Sequence, residues 1–176
     1  MFFSFSNQSK PNSSPLSAVG IRPAVPSDLS ALIDLFFEFY TVFNLKQTLS
    51  GMAKELLQVD DAKAFARDTI TSYFDDKEIM FVAEIGNKLV GYISGNIQQK
   101  DHYIFSPEAE IIDWFVTSTF RGSGIGKKLY QAFLDSVKAQ GCKAITLEAF
   151  YQNTPTIETY VRMGFVRDSL ILKKKI

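Results

Sequence analysis

Arg121-Gly122-Ser123-Gly124-Ile125-Gly126 stands between an apolar segment at residues 111–117 and an amphipathic one running from Lys127 to Gln140. A glycine-rich turn that opens a helix is an anion site. Its first N–H groups have no carbonyl to bond, and the helix dipole favours negative charge there. Glycine lets the main chain approach a ligand closely. The residues therefore point to a phosphate or pyrophosphate. Ser123 raises the question of a nucleophile, but no Gly-x-Ser-x-Gly elbow surrounds it and the one histidine, His102, falls in a loop, so a triad is excluded. Cys142 follows Gly141 at a helix end and reads as packing. No His/Cys cluster has metal-ligand spacing.

Two phosphate-binding patterns fail on spacing. A P-loop requires Gly-Lys followed by Ser or Thr, and here Gly126-Lys127 is followed by Lys128, with Arg121 at the place of the first glycine. A dinucleotide fingerprint accepts Gly122 and Gly124 but requires glycine where Lys127 stands. The remaining pattern, Arg-x-x-Gly-x-Gly, resembles the GNAT family of acyl-CoA-dependent N-acyltransferases. Leu147-Glu148-Ala149, then Asn153, then Tyr160-Val161-Arg162-Met163-Gly164-Phe165 is similar to that family's second signature. Ile21-Arg22-Pro23-Ala24 with Asp28 resembles its opening strand and first helix. The one departure, Thr156 where the family usually has Ala, is small.

The resemblance implies that the backbone from Gly122 through Ser123, Gly124, Ile125 and Gly126 to Lys127 cradles the pyrophosphate of acetyl-CoA. It implies that pantetheine lies against Trp114, Phe115 and Val116, and that Asn153 meets that arm or the helix start. Arg121, Lys127 and Arg162 are candidates for the phosphate charges. Tyr160 would be the acid that protonates the leaving thiolate, since a phenol keeps its proton at neutral pH. Glu148 would be the base; it sits at the carboxyl end of its strand, and the ribosomal-protein alanine N-acetyltransferases share a similar Leu-Glu-x-x-x-x-Asn pattern. Glu110 and Asp113 are rival bases, and Asp113 is also a candidate for binding a cationic acceptor. The implied reaction is direct attack of a primary amine in a ternary complex. Small amines, polyamines, amino acids and protein N-termini all remain open as acceptors, as does a non-catalytic acyl-CoA-sensing module.

These residues need elements to hold them. Strands are expected at 19–24, at 79–85 and 88–98 as a hairpin turning on Gly86-Asn87, at 108–117, at 143–149 and at 165–175, the last with a break near Asp168. Helices are expected from Pro26-Ser27-Asp28 with Ser27 or Asp28 as cap, from 60 to 74, from 127 to 140, and from Thr154-Pro155. Leu32, Leu35, Phe36, Phe39 and Phe43 form the first helix's apolar stripe, leaving Phe37 and Tyr40 for a pocket or a partner. Asp34, Glu38 and Tyr103 add polarity there. The fold class is α+β: a central mixed, mostly antiparallel sheet with helices on both faces.

The chain has 176 residues, which suits one domain over 19–176 behind a Ser-rich flexible tail at 1–18. That tail opens on Phe2, Phe3 and Phe5, aromatic surface for the body or a partner. Lys plus Arg and Asp plus Glu both number 19, which excludes a general nucleic-acid binder. No stretch reaches transmembrane length, so no membrane partner is expected. One cysteine excludes an internal disulfide and fits a reducing, cytoplasmic setting. A homodimer is allowed by size and surface.

Overall fold

The structure, a computed structural model, describes residues 19–76 and 78–176. The tail expected at 1–18 lies outside the described residues. Five strands form one sheet in the order β1-β2-β3-β4-β5. These are β1 (Val19–Pro23), β2 (Ile79–Ile85), β3 (Lys88–Gln98), β4 (Glu108–Val116) and β5 (Ala144–Leu147). The first four pair antiparallel, and β5 runs parallel to β4. The sheet is therefore mixed and mostly antiparallel. β2 and β3 turn on Gly86, whose φ of 60° is the left-handed conformation that glycine adopts without strain. β4 and β5 are parallel because a helix, α4 (Ile125–Ala139), carries the chain back between them.

Each face of the sheet has its own core. On one face α4 presents Ile125, Leu129, Phe133 and Val137, every fourth residue, to Ile93, Ala109 and Ile111. Gly95 of β3 permits that approach. A Cβ there would stand 2.1 Å from the Glu110 carbonyl oxygen and 2.7 Å from the Phe133 ring. On the other face lie α1 (Leu29–Glu38), its π-helical continuation Phe39–Thr48, and α3 (Ala62–Asp75). Their Leu32, Phe36, Ile70 and Tyr73 meet Val82, Tyr92 and Phe115. A short α2 (Gly51–Glu55) lies between them in sequence. Asp61 starts α3 by accepting the N–H groups of Lys63 and Ala64.

Three expectations are corrected. Tyr40 belongs to the core: it is buried, packs on Phe65 and donates its hydroxyl to the Leu57 carbonyl at 2.6 Å. It stands four residues after buried Phe36, so it continues the stripe, and Phe37 packs beside it half-buried. Asp28 stands at the N-cap of α1 as expected, but its side chain makes no bond to that helix. Its carboxylate takes a bidentate pair from Arg22 and the Val25 N–H, which holds it below the ordinary carboxylate range. The strand expected at 165–175 does not form, and Val166, Leu170, Ile171 and Leu172 are exposed. β propensity is read from side chains, whereas a strand also requires a paired ladder. The segment instead makes exposed Arg167–Glu158 and Lys175–Glu55 ion pairs.

Candidate active site

One extra residue in β4 sorts the site into two sides. Ser94 pairs with Asp113 and Gly95 with Ile111, so Ile112 has no opposite number and forms a β-bulge. Before it, Ala109 and Ile111 face α4. After it, Trp114 and Val116 face α4, while Phe115 joins the α1/α3 core. Without the bulge, strict alternation would send Asp113 and Phe115 to the α4 face with Ile111.

The same strand opens on its β5 side. The ladder with β5 ends at Ile111 opposite Leu147. Beyond that point β3 still pairs β4 on the other side. Thr117 donates its N–H to the Val90 carbonyl, which fixes the alternation of main-chain bonds. Phe115 and Thr117 direct their main-chain groups at β3, while Trp114 and Val116 direct theirs into the opening. The Val116 carbonyl indeed accepts from Arg121 Nε at 3.0 Å on that side. A ligand with amide groups can therefore lie along β4 as an added strand.

The opening leads to the glycine turn. A 3-10 turn, Ser118–Phe120, sends the chain into Gly122 at φ 74° and Gly124 at φ 84°, the N-cap of α4. The first helical bond joins the Lys128 N–H to the Gly124 carbonyl, so Ile125, Gly126 and Lys127 have no carbonyl of the helix to donate to. A Cβ at Gly122 or Gly124 would meet nothing within 4 Å among the described residues, which leave the space over the turn open. Gly126 lies beside the Trp114 indole, 3.5 Å from the position its Cβ would take to Nε1. This geometry fits a pyrophosphate on the turn and a pantetheine arm along Trp114 and Val116.

Trp114 is the middle of an aromatic stack. Tyr130 of α4 lies parallel to it at 5.2 Å, and Tyr160 of α5 (Thr154–Arg162) at 5.5 Å. Phe165 meets both tyrosine rings. Burial pushes the Tyr160 phenol up to about 12, so it keeps its proton at neutral pH. Asn153 stands at the α5 N-cap without a side-chain cap bond, which leaves its amide for another use. Glu148 follows β5 directly and is exposed. Arg121 does not reach out over the glycine turn. Its guanidinium sits 4.5 Å from the Phe43 ring centre and 5.5 Å from that of Phe115, and burial lowers its pKa. Ser123 donates its hydroxyl to the Phe120 carbonyl at 2.5 Å, and burial raises the Cys142 thiol. Neither is a prepared nucleophile.

On the α1/α3 face the bulge delivers Asp113 to two phenols. Tyr73 of α3 and Tyr92 of β3 both donate to its Oδ2, at 2.8 and 3.2 Å. Burial still raises Asp113 to about 6 against those bonds. Glu110, two strand positions earlier once the bulge is discounted, accepts from Gln98 Nε2. Tyr73, Tyr92 and Glu78 escaped the sequence reading, because each is remote from the motifs. A signal existed nonetheless: a lone aspartate inside the apolar run Ile111-Ile112-Asp113-Trp114-Phe115 requires either a partner or a change of face.

A family profile described as the Acetyltransferase (GNAT) family matches residues 32–165. An uncharacterized N-acetyltransferase of Methanocaldococcus jannaschii is 26% identical over 156 residues, covering 86% of this chain and 62% of that protein. N-alpha-acetyltransferase 30 of Schizosaccharomyces pombe is 30% identical over 115 residues, covering 64% of this chain and 75% of that one. An aminoglycoside N-acetyltransferase solved with CoA superposes with a TM-score of 0.69 at 17% identity, over 94% of this chain and 98% of that chain. That likeness shows the fold.

Proposed function

The chain belongs to the GNAT family of acetyltransferases, and from that premise we propose that it moves an acetyl group from acetyl-CoA to a primary amine by direct attack in a ternary complex. The open edge of β4, running from Trp114 and Val116 to the glycine turn, is the observation that carries this reading. When bound, acetyl-CoA supplies an acyl group on a thiolate leaving group. The N–H groups from Gly122 to Lys127 hold its pyrophosphate by the geometry of a helix start. The main chain of Trp114 and Val116 and the amide of Asn153 hold its arm.

The rest of the chemistry moves two protons. A carboxylate takes one from the attacking nitrogen as the N–C bond forms, and a phenol gives one to sulfur as the C–S bond breaks. Tyr160 is our phenol: its ring is fixed by the Trp114 stack and its proton is secure to about pH 12. Glu148 is our carboxylate, because it stands at the end of β5 where the two strands part. Ser123 and Cys142 are not poised to carry an acyl group, which favours direct attack over a covalent route.

Incubation with acetyl-CoA and a panel of amines, read by free CoA and by product mass, tests the proposal. Amine-dependent CoA release with a product 42 Da heavier, the mass of the acetyl group in place of hydrogen, is roughly what direct transfer predicts. Absence of acetyl-CoA binding would overturn it.

A further inference from the structure

The end of the sheet under α3 holds more acid than one proton transfer needs. Glu78 stands immediately before β2, and the register that pairs Ile79 with Gly95 brings it opposite Asn96. Asn96 pairs with Glu110, and Glu110 with Thr146 of β5. The neighbouring row is Met80, Ser94 and Asp113. Burial first, then the Asp113, Asp76 and Glu110 charges, lift the Glu78 carboxyl to about 7. Among the described residues no ion pair reaches Glu78, Glu110 or Asp113.

The polar atoms between these acids are also uncompensated. Ser94 is 0% exposed, lies directly opposite Asp113 on the same face, and among the described residues its Oγ, beside the Tyr73 phenol, makes no hydrogen bond of normal geometry. Glu78 Oε2 and Asn96 Oδ1 are buried with no donor among the described residues as well. Buried oxygens lacking a donor are costly, and a fold retains them where something else supplies the donor. An ammonium group brings three N–H donors and the charge that the carboxylates lack. Among the described residues no group of three His, Cys, Asp or Glu could hold a metal ion. An open pocket of about 290 Å³, lined in part by Tyr73, Phe74, Glu78 and Met80, leads to Glu78 from outside.

We propose that the Glu78–Asn96–Glu110 row with Ser94 and Asp113 is an anchoring subsite for a second ammonium group of the acceptor, and that the acceptor is a linear polyamine. This rests on the reading that acyl transfer occurs where β4 and β5 part. Glu78 lies two inter-strand spacings, roughly 10 Å, from β4. The row ends at Glu110 on β4, beside the point where β4 and β5 part, so a linear triamine can lie along it with one nitrogen anchored toward Glu78 and another presented at the opening; a monoamine cannot do both.

The test is calorimetric binding to the full chain saturated with CoA, using spermidine and butylamine as probes. Spermidine is expected to bind at least tenfold more tightly than butylamine. At pH 7 it should also release protons, seen as heat that depends on the buffer's ionisation enthalpy, because the ammonium draws Glu78 into its charged form. Glu78→Gln should weaken spermidine at least tenfold while CoA affinity stays unchanged, the latter showing that the variant is folded. Ser94→Ala gives a second, smaller loss should Glu78→Gln fail to fold. Equal affinity for the two probes, or spermidine binding untouched by both substitutions, overturns the proposal. No turnover is needed, so failed acetyl transfer and a failed anchor are separate results.

Discussion

The two faces of the sheet are built to opposite rules. Toward α4 nearly every inward group is apolar, a glycine lets helix and strand touch, and three aromatic rings are stacked at the open edge of β4. Toward α3 the same strands carry a buried aspartate between two phenols, a buried serine and a glutamate lifted toward neutrality. Packing fixes the first face by itself, as suits a large ligand held in one pose. The second face holds carboxylates with no ion pair among the described residues, as suits the small cation proposed for it. The difference teaches that one sheet can carry a packed face and a titratable face on the same strands.

Substitutions can break or sharpen this contrast. The largest effect is expected at Gly95→Ala, because its Cβ would collide with the Glu110 carbonyl and the Phe133 ring. A loss of about 3 kcal/mol in denaturant unfolding is expected from that overpacking. Normal stability would mean that the α4 face is looser than described. Gly124→Val meets no atom of the described residues but forces a β-branched residue to φ 84° and fills the space over the turn. Acetyl-CoA affinity should fall roughly 100-fold in a binding titration, against a folding loss of about 1–2 kcal/mol. Unchanged affinity would remove the pyrophosphate from the turn.

Tyr160→Phe keeps the ring on Trp114 and removes only the hydroxyl. We expect kcat to drop roughly 100-fold with CoA affinity within about twofold. In the parent enzyme kcat should show no alkaline loss from this phenol until pH nears 12. Glu148→Gln should lower kcat/KM by a factor nearer the bottom of the general-base range, about 100; full activity would hand the role to Glu110 or Asp113.

The smallest effect is the most diagnostic of the polar face. Folded Asp113 gives up its proton at about 6, whereas its ordinary value is 3.8. Between those values the folded state holds the proton and the unfolded chain does not, so stability falls as pH rises. The penalty is absent below about pH 4 and complete above about pH 6. Asp113→Asn should therefore raise stability by about 1–3 kcal/mol at pH 8 and leave it nearly unchanged at pH 4. Urea melts at the two pH values check this, and a loss at pH 8 would mean that the ionised carboxylate is well compensated.

What the sequence disclosed follows the same division. β2 and β3 and their Gly86 turn have the bounds that alternation and turn chemistry predict, and the glycine loop opens α4 as expected. Those signals are local, because they arise from neighbours in the chain. The Tyr73–Asp113–Tyr92 contact joins three separate elements across 40 and 21 positions, and no local pattern announces it. The π-helical turn and the unpaired C-terminal segment were hidden for a related reason. Side-chain propensity does not count hydrogen-bond partners.

The unmatched residue at Ile112 makes β4 a strand with two reading frames. Everything before it is addressed by one parity and everything after it by the other. Deleting that residue would leave each side chain's chemistry intact and exchange the destinations of Trp114 and Phe115. It would put the stacking indole among the phenylalanines under α1 and strand Asp113 against α4. The division of labour between the two faces thus hangs on a count of one, and an insertion or deletion there would do what no point substitution can.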